Sequence, residues 1–210
     1  MSVVGIVPAG GSGERLGADR PKAFVLLGGR PMVEWSLDAL GEVCDRVVVA
    51  VPPGHEEGED TVVGGESRSQ SVRNALAAAP EATVAVVHDA ARPLVTADLV
   101  RRCVDSLGDG VDGAIAAARV SDTIKEAEGG VVTRTLDRSR LWAIQTPQAF
   151  RAEALRRALD VPAETLAAAT DDAMLVEAAG GRVVVVEAPP ENLKVTTRRD
   201  LELAEALLGC

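Results

Sequence analysis

The stretch Val3-Val4-Gly5-Ile6-Val7-Pro8-Ala9-Gly10-Gly11-Ser12-Gly13-Glu14-Arg15 runs from an unbroken apolar segment straight into a cluster of glycines. An apolar run of this length, ended by proline and glycine, is the pattern of a strand buried on both faces that delivers the chain into a loop. Comparable runs recur at 46–51, 83–87, 113–118 and 182–187. Between them the period changes. Val72, Ala75, Leu76 and Ala79 fall at i, i+3, i+4 and i+7, as do Val100, Cys103, Val104 and Leu107, so each segment has one apolar helical face. Strands alternating with helices imply right-handed crossovers and an α/β fold: a mostly parallel twisted sheet, Rossmann-like, with helices on both faces. In such a sheet, ligands bind at the carboxyl ends of the strands.

Three segments depart from the alternation. Only a polar stretch, Pro53 to Asp60, separates the run at 46–51 from the apolar Thr61-Val62-Val63, which predicts a loop rather than a crossover helix. Residues Asp122 to Arg138 carry two strand-like pieces around Gly129-Gly130 and predict a projecting β-hairpin arm. Thr197-Arg198-Arg199-Asp200 supplies a cap for a terminal helix carrying Leu203, Ala206 and Leu207 on one side. No repeat or linker interrupts the chain, so residues 1–210 are expected to form a single domain.

At 210 residues the chain can bury about 70% of the surface that its unfolded form exposes. Lys and Arg number 22 against 32 Asp and Glu, a net charge of −10, which argues against nucleic acid or an anionic membrane as partner. The aromatic residues are Phe24, Trp35, Trp142 and Phe150, too few for the stacking platforms of single-strand binders. Cys44, Cys103 and Cys210 form no CxxC pair, and Met1 to Pro8 lacks the basic start of a signal peptide. A cytoplasmic protein of a reducing compartment is expected.

The loop that follows the first strand extends through Pro21-Lys22. Its glycines allow tight turns that aim backbone N–H groups at phosphate oxygens, and Arg15 and Lys22 add positive charge. A dinucleotide fingerprint starting at Gly11 fails, because Leu16 stands at the third glycine and no acidic residue ends the second strand. A Walker loop fails too, since Lys22 lies between Pro21 and Ala23. A nucleotidyltransferase loop wrapped around a triphosphate remains, beside the plainer reading of a surface turn with solvated charges.

Further along, His88-Asp89-Ala90-Ala91-Arg92-Pro93 places a carboxylate just past a buried strand, where it can hold Mg²⁺ on phosphates or pair with Arg92. Gly64-Gly65-Glu66-Ser67-Arg68-Ser69-Gln70-Ser71 offers glycines and hydroxyls ahead of a helix, for a ligand or for ordinary capping. Asn192-Leu193-Lys194-Val195-Thr196 sets a lysine at a strand-like end. His88 reads as a packed residue, and His55 as part of a solvated loop.

Taken in order, the glycine loop, Pro21-Lys22, Gly64-Gly65, His88 to Pro93, Asp122-Thr123, Gln145-Thr146-Pro147-Gln148, Thr170-Asp171-Asp172 and Lys194-Val195-Thr196 span nearly the whole chain. The set resembles the 2-C-methyl-D-erythritol 4-phosphate cytidylyltransferase family. The resemblance implies transfer of CMP from CTP to that sugar-alcohol phosphate, with release of pyrophosphate, in the non-mevalonate route to isoprenoids. It also implies Mg²⁺ and a homodimer. By position, Arg15, Lys22 and Lys194 would grip the reacting phosphates and Asp89 would hold the metal. Pro8, Ala9, Gly10, Gly11, Ser12, Gly13 and Ala90 would cradle CTP, with Gly65, Glu66 and Ser71 facing the base. Arg92, Thr146 and Thr170 would line the acceptor pocket, and Thr123 and Arg138 would reach in from a second subunit's hairpin. The fused cyclase domain of some relatives is not expected. A pentitol-phosphate (ribitol 5-phosphate) cytidylyltransferase and a non-catalytic nucleotide sensor on the same fold stand as alternatives, separated from this reading by the acceptor pocket and by pyrophosphate release.

Overall fold

The computed structural model describes all of residues 1–210 except residues 12, 14, 15, 18 and 19. Along the chain, β1 (Val3–Pro8) is followed by a short antiparallel pair, β2 (Leu26–Leu27) and β3 (Arg30–Pro31), and then by α1 (Met32–Gly41). Next come β4 (Arg46–Val51), β5 (Thr61–Val63), α2 (Arg68–Ala77), β6 (Val84–Val87), α3 (Ala97–Asp105) and β7 (Gly113–Arg119). The last third comprises β8 (Lys125–Glu128), β9 (Val131–Thr135), β10 (Trp142–Arg151), α4 (Ala152–Leu159), α5 (Ala163–Ala168), α6 (Asp172–Ala178), β11 (Val183–Glu187) and α7 (Arg198–Leu208).

Among the described residues one seven-stranded sheet dominates, in the order β11-β7-β10-β6-β1-β4-β5. β1 is parallel to both β4 and β6, whereas β10 runs antiparallel between β6 and β7. Period-2 alternation divides the core as the buried runs require. Val3 and Val7, with Val49, Val51, Val84 and Val86, pack against α1 and α3. Val4 and Ile6, with Val48, Ala50, Ala85 and Val87, pack against α2, α4, α5 and α6. Gly113 of β7 lies opposite Phe150 of β10, and a Cβ there would meet the ring at 2.8 Å, so the glycine makes room for the one large aromatic of this core.

The expected strands match the sheet to within a residue at their ends. The polar 53–60 segment contains no helix and links β4 to a parallel β5 directly. So short a return suffices because β5 has three residues and begins opposite Val49, which leaves little length to retrace. His55 in that loop is exposed yet stacks on Phe24, with ring centroids 5.6 Å apart. The hairpin is present as β8 and β9, a separate two-stranded sheet whose residues are all exposed.

Two expectations are corrected. The terminal helix has the expected cap, with Thr197 and Asp200 forming a reciprocal capping box, but it does not bury Leu203, Ala206 and Leu207. Ala204 is buried instead, flanked by Leu201 and Leu208, against Leu27, Met32 and Val195. Both triads satisfy helical spacing, so periodicity alone cannot choose between them. The segment 192–196 is a loop rather than a strand end, tied to the turn after β6 by Val195 N–H donating to Ala91 O at 2.8 Å.

Candidate active site

β1 sits between β6 and β4, and the chain leaves it toward β4 before returning to β6 on the other side. A reversal of this kind opens a crevice at the carboxyl ends of the strands. A cavity of about 380 Å³ lies there. It is lined by Pro8 to Gly11 and Gly13 after β1, Lys22 and Ala23, Gly65 to Arg68 and Ser71 around the start of α2, Asp89 to Ala91 after β6, and Lys194 and Thr196 ahead of α7.

Local chemistry shapes each wall. Lys22 N–H donates to Gly11 O at 2.9 Å, which folds the glycine loop back on itself. Gly13 has φ +78°, and a Cβ on it would lie 2.9 Å from Arg20 O, so only glycine fits the turn. Ser67 caps α2 in a capping box with Gln70. The Ser71 hydroxyl accepts from Gly65 N–H and donates to Ser67 O, each at 3.0 Å, which holds the Gly65 backbone against the helix. Capping and cavity lining therefore coexist in this segment.

Asp89 is the electrostatic centre. Its carboxylate pairs with Arg68 Nε at 2.8 Å and with Lys194 Nζ at 2.7 Å, and not with Arg92. Burial opposes its ionisation, but the two cations prevail and hold it well below the usual carboxylate range. Arg68 also donates through Nη1 to Asp172 at 2.6 Å. The Asp172 carboxyl is wholly buried, and burial pushes its pKa up against the pull of Arg68. Arg92 turns away and donates to Asn192 O at 2.8 Å.

Behind Asp89, His88 is fully buried. Its Nε2 lies 3.1 Å from Arg92 O, a carbonyl that can only accept, so Nε2 carries the proton. Nδ1 then accepts from Thr146 Oγ1 at 3.0 Å, and that hydroxyl accepts from Asp89 N–H at 3.0 Å. Burial pushes the imidazole down from 6.5 to about 4. Between those values an unfolded imidazole holds a proton that the folded one refuses, so stability falls as pH drops through the window. In urea titrations His88→Gln is expected to flatten the dependence of the unfolding midpoint between pH 6.5 and 4; an unchanged slope would contradict a neutral His88.

The cavity thus gathers Pro8, Ala9, Gly10, Gly11, Gly13, Lys22, Gly65, Glu66, Ser71, Asp89, Ala90 and Lys194 from the sequence-derived set. Ser12 and Arg15 lie outside the described residues. The acceptor set is not brought together in it. Thr146 is buried beneath Asp89, Arg92 is half-buried, and Thr170 is exposed ahead of α6 with its hydroxyl toward Met174 Sδ. Thr123 and Arg138 lie exposed at the base of the hairpin, where Arg138 donates to Ser121 O. Arg68 and Asp172 lie within the sequence motifs, yet sequence alone assigns them no role. The available signal was an arginine in the first turn of a helix, where its charge opposes the macrodipole and calls for carboxylate partners.

With the geometry established, similarity to known proteins is extensive. The family model described as 2-C-methyl-D-erythritol 4-phosphate cytidylyltransferase matches residues 3–210. A protein of that name from Rubrobacter xylanophilus is 47% identical over 222 residues, covering 98% of this chain and 94% of its own. One from Rhodococcus jostii is 48% identical over 217 residues, covering 98% and 95%. The crystal structure of the Thermus thermophilus enzyme superposes with a TM-score of 0.85 at 36% identity, over 100% of both chains. The crevice between β1 and β6, its glycine loop and the sequence around it are those of a nucleotidyltransferase, and this chain belongs to the 2-C-methyl-D-erythritol 4-phosphate cytidylyltransferase family.

Proposed function

We infer that this chain transfers CMP from CTP to 2-C-methyl-D-erythritol 4-phosphate and releases pyrophosphate, a step of the non-mevalonate route to isoprenoids. The observation that carries the chemistry is the convergence of a glycine loop, Lys22, Lys194 and Asp89 on one cavity at the ends of β1 and β6. The acceptor's phosphate oxygen is already ionised at neutral pH, so no side chain has to remove a proton before it attacks the α-phosphorus. A new P–O bond forms there as the bond to the β-phosphate oxygen breaks. The difficulty is negative charge crowded on one centre, and fixed cations relieve it best where charge develops.

We assign Lys22, Lys194 and Arg15 to that task. Pro8 to Gly13 and Ala90 cradle CTP, and Gly65, Glu66 and Ser71 face its base. Arg92, Thr146 and Thr170 belong to the acceptor side, with Thr146 acting through the Asp89 backbone. Among the described residues no cluster of three or more His, Cys, Asp or Glu could hold a metal ion. One buried carboxylate at the cavity wall nevertheless suits Mg²⁺, which commonly takes one or two protein carboxylates and completes its shell with phosphates and water. Asp89 is that ligand in this reading, and the ion, when bound, would neutralise phosphate charge.

A homodimer is supported by the hairpin, where Val131 and Val132 are 69% and 57% exposed on an arm that joins none of the core clusters among the described residues. No helix among the described residues is long and apolar enough to cross a membrane.

Pyrophosphate release tests the reading. CTP with methylerythritol phosphate should turn over with a higher kcat/KM than CTP with ribitol 5-phosphate, and EDTA should stop it. A higher kcat/KM for ribitol 5-phosphate would overturn the acceptor assignment, and turnover undiminished by EDTA would overturn the metal.

A further inference from the structure

The two oxygens of Asp89 are held in different ways. Oδ1 accepts from Arg68 Nε, whose guanidinium is tied at its other end to Asp172 Oδ2. Asp172 is wholly buried, and its Oδ1 has no hydrogen-bond partner among the described residues, so Arg68 is the counterion its geometry provides. Moving Arg68 would strand that carboxylate in the interior, a strongly unfavourable state. Oδ2 accepts from Lys194 Nζ, at the end of a flexible side chain that is 43% exposed at the cavity wall. One clamp is anchored in the core and the other can swing.

The charges agree with this division. Asp89 and Asp172 are balanced by Arg68 and Lys194, so the cluster is neutral as it stands and gives a free divalent cation little reason to enter. A polyphosphate in the cavity competes with Asp89 for the Lys194 ammonium. Once Lys194 turns to it, Oδ2 is bare and the cluster has a charge of −1.

We propose that Arg68, locked by Asp172, is a positioning residue that keeps one oxygen of Asp89 for itself and leaves the other, guarded by Lys194, for a divalent cation that enters only with a polyphosphate. The proposal rests on the assignment of Asp89 as the metal ligand. It gives Lys194 a second duty as an exchangeable counterion, and it gives Arg68 and Asp172 duties that contact with substrate would not reveal.

Mn²⁺ serves as the probe, with binding to nucleotide-free protein read by electron paramagnetic resonance and the fold checked by circular dichroism. The wild-type protein should bind Mn²⁺ only weakly, and Lys194→Gln should bind it at least about tenfold more tightly. Adding Asp172→Asn to Lys194→Gln should abolish that gain. Adding Arg68→Lys should do the same, because one ammonium cannot hold both carboxylates as the guanidinium fork does. A separate titration measures how CTP affinity depends on Mn²⁺, a dependence that Asp89→Asn should remove. If Asp89→Asn leaves it intact, the metal assignment falls and the proposal with it. If Asp89→Asn removes it but the wild-type protein binds Mn²⁺ without nucleotide as tightly as Lys194→Gln does, the proposal alone is overturned. Double variants that fold and keep the tightened Mn²⁺ binding would reduce Arg68 and Asp172 to a structural pair.

Discussion

Lys22→Ala is expected to lower kcat by about 10² or more, because a cation aimed at charge that develops in the transition state contributes to kcat as well as to kcat/KM. The backbone of Lys22 is part of the glycine turn, since its N–H bonds Gly11 O, so alanine keeps that backbone bond while removing the ammonium. Continuous pyrophosphate release at saturating CTP measures the effect. A change confined to KM would mean that Lys22 holds substrate and transition state equally. Arg15→Ala should behave alike if the two cations share the triphosphate.

The second large effect concerns the hairpin. If the chain forms the proposed homodimer with a shared hairpin, the Lys22→Ala and Arg138→Ala proteins should each be nearly inactive, and mixing them with subunit exchange should restore activity. In a mixed dimer, one site combines both defects while the other takes its lysine from the Arg138→Ala chain and its hairpin from the Lys22→Ala chain. About half of the dimers are mixed and one of their two sites is whole, so about a quarter of wild-type activity should return. The assay is pyrophosphate release, with exchange followed by native mass spectrometry. No recovery after confirmed exchange would place Arg138 in the service of its own chain, in line with its present contact to Ser121 O.

Much of this architecture is readable from local pattern. β1 and the loop after it announce themselves through an apolar run stopped by proline and glycine, and the α7 cap through Thr197 and Asp200 three residues apart. β10 escapes such reading because Gln145-Thr146-Pro147-Gln148 looks like a turn, and proline in a central strand argues against the assignment. Its polar side chains find partners far along the chain: Gln145 in Asn192, Thr146 in His88 and Asp89, and Gln148 Nε2 in Asp171. Arg68 and Asp172 are 104 residues apart, so their pairing depends on the finished fold and leaves no spacing to detect. The α7 face is missed for a different reason, since two apolar stripes of equal periodicity compete and only the neighbours Leu27, Met32 and Val195 decide between them.

The place of β10 between β6 and β7 bears on how the protein is made. A nascent chain that has emerged only to residue 141 has β1, β4, β5 and β6 ready to pair, yet the β6 edge, Val84 to Val87, is still open. Unpaired apolar edges of this kind invite association with other chains. That intermediate is therefore exposed to association until β10 emerges and pairs with β6. The strand that seals the edge also brings Thr146, whose hydroxyl takes the Asp89 N–H. Closure of the edge and the Thr146 contact to Asp89 arrive together in biosynthesis, whereas Asp172 and Lys194 follow only later in the chain.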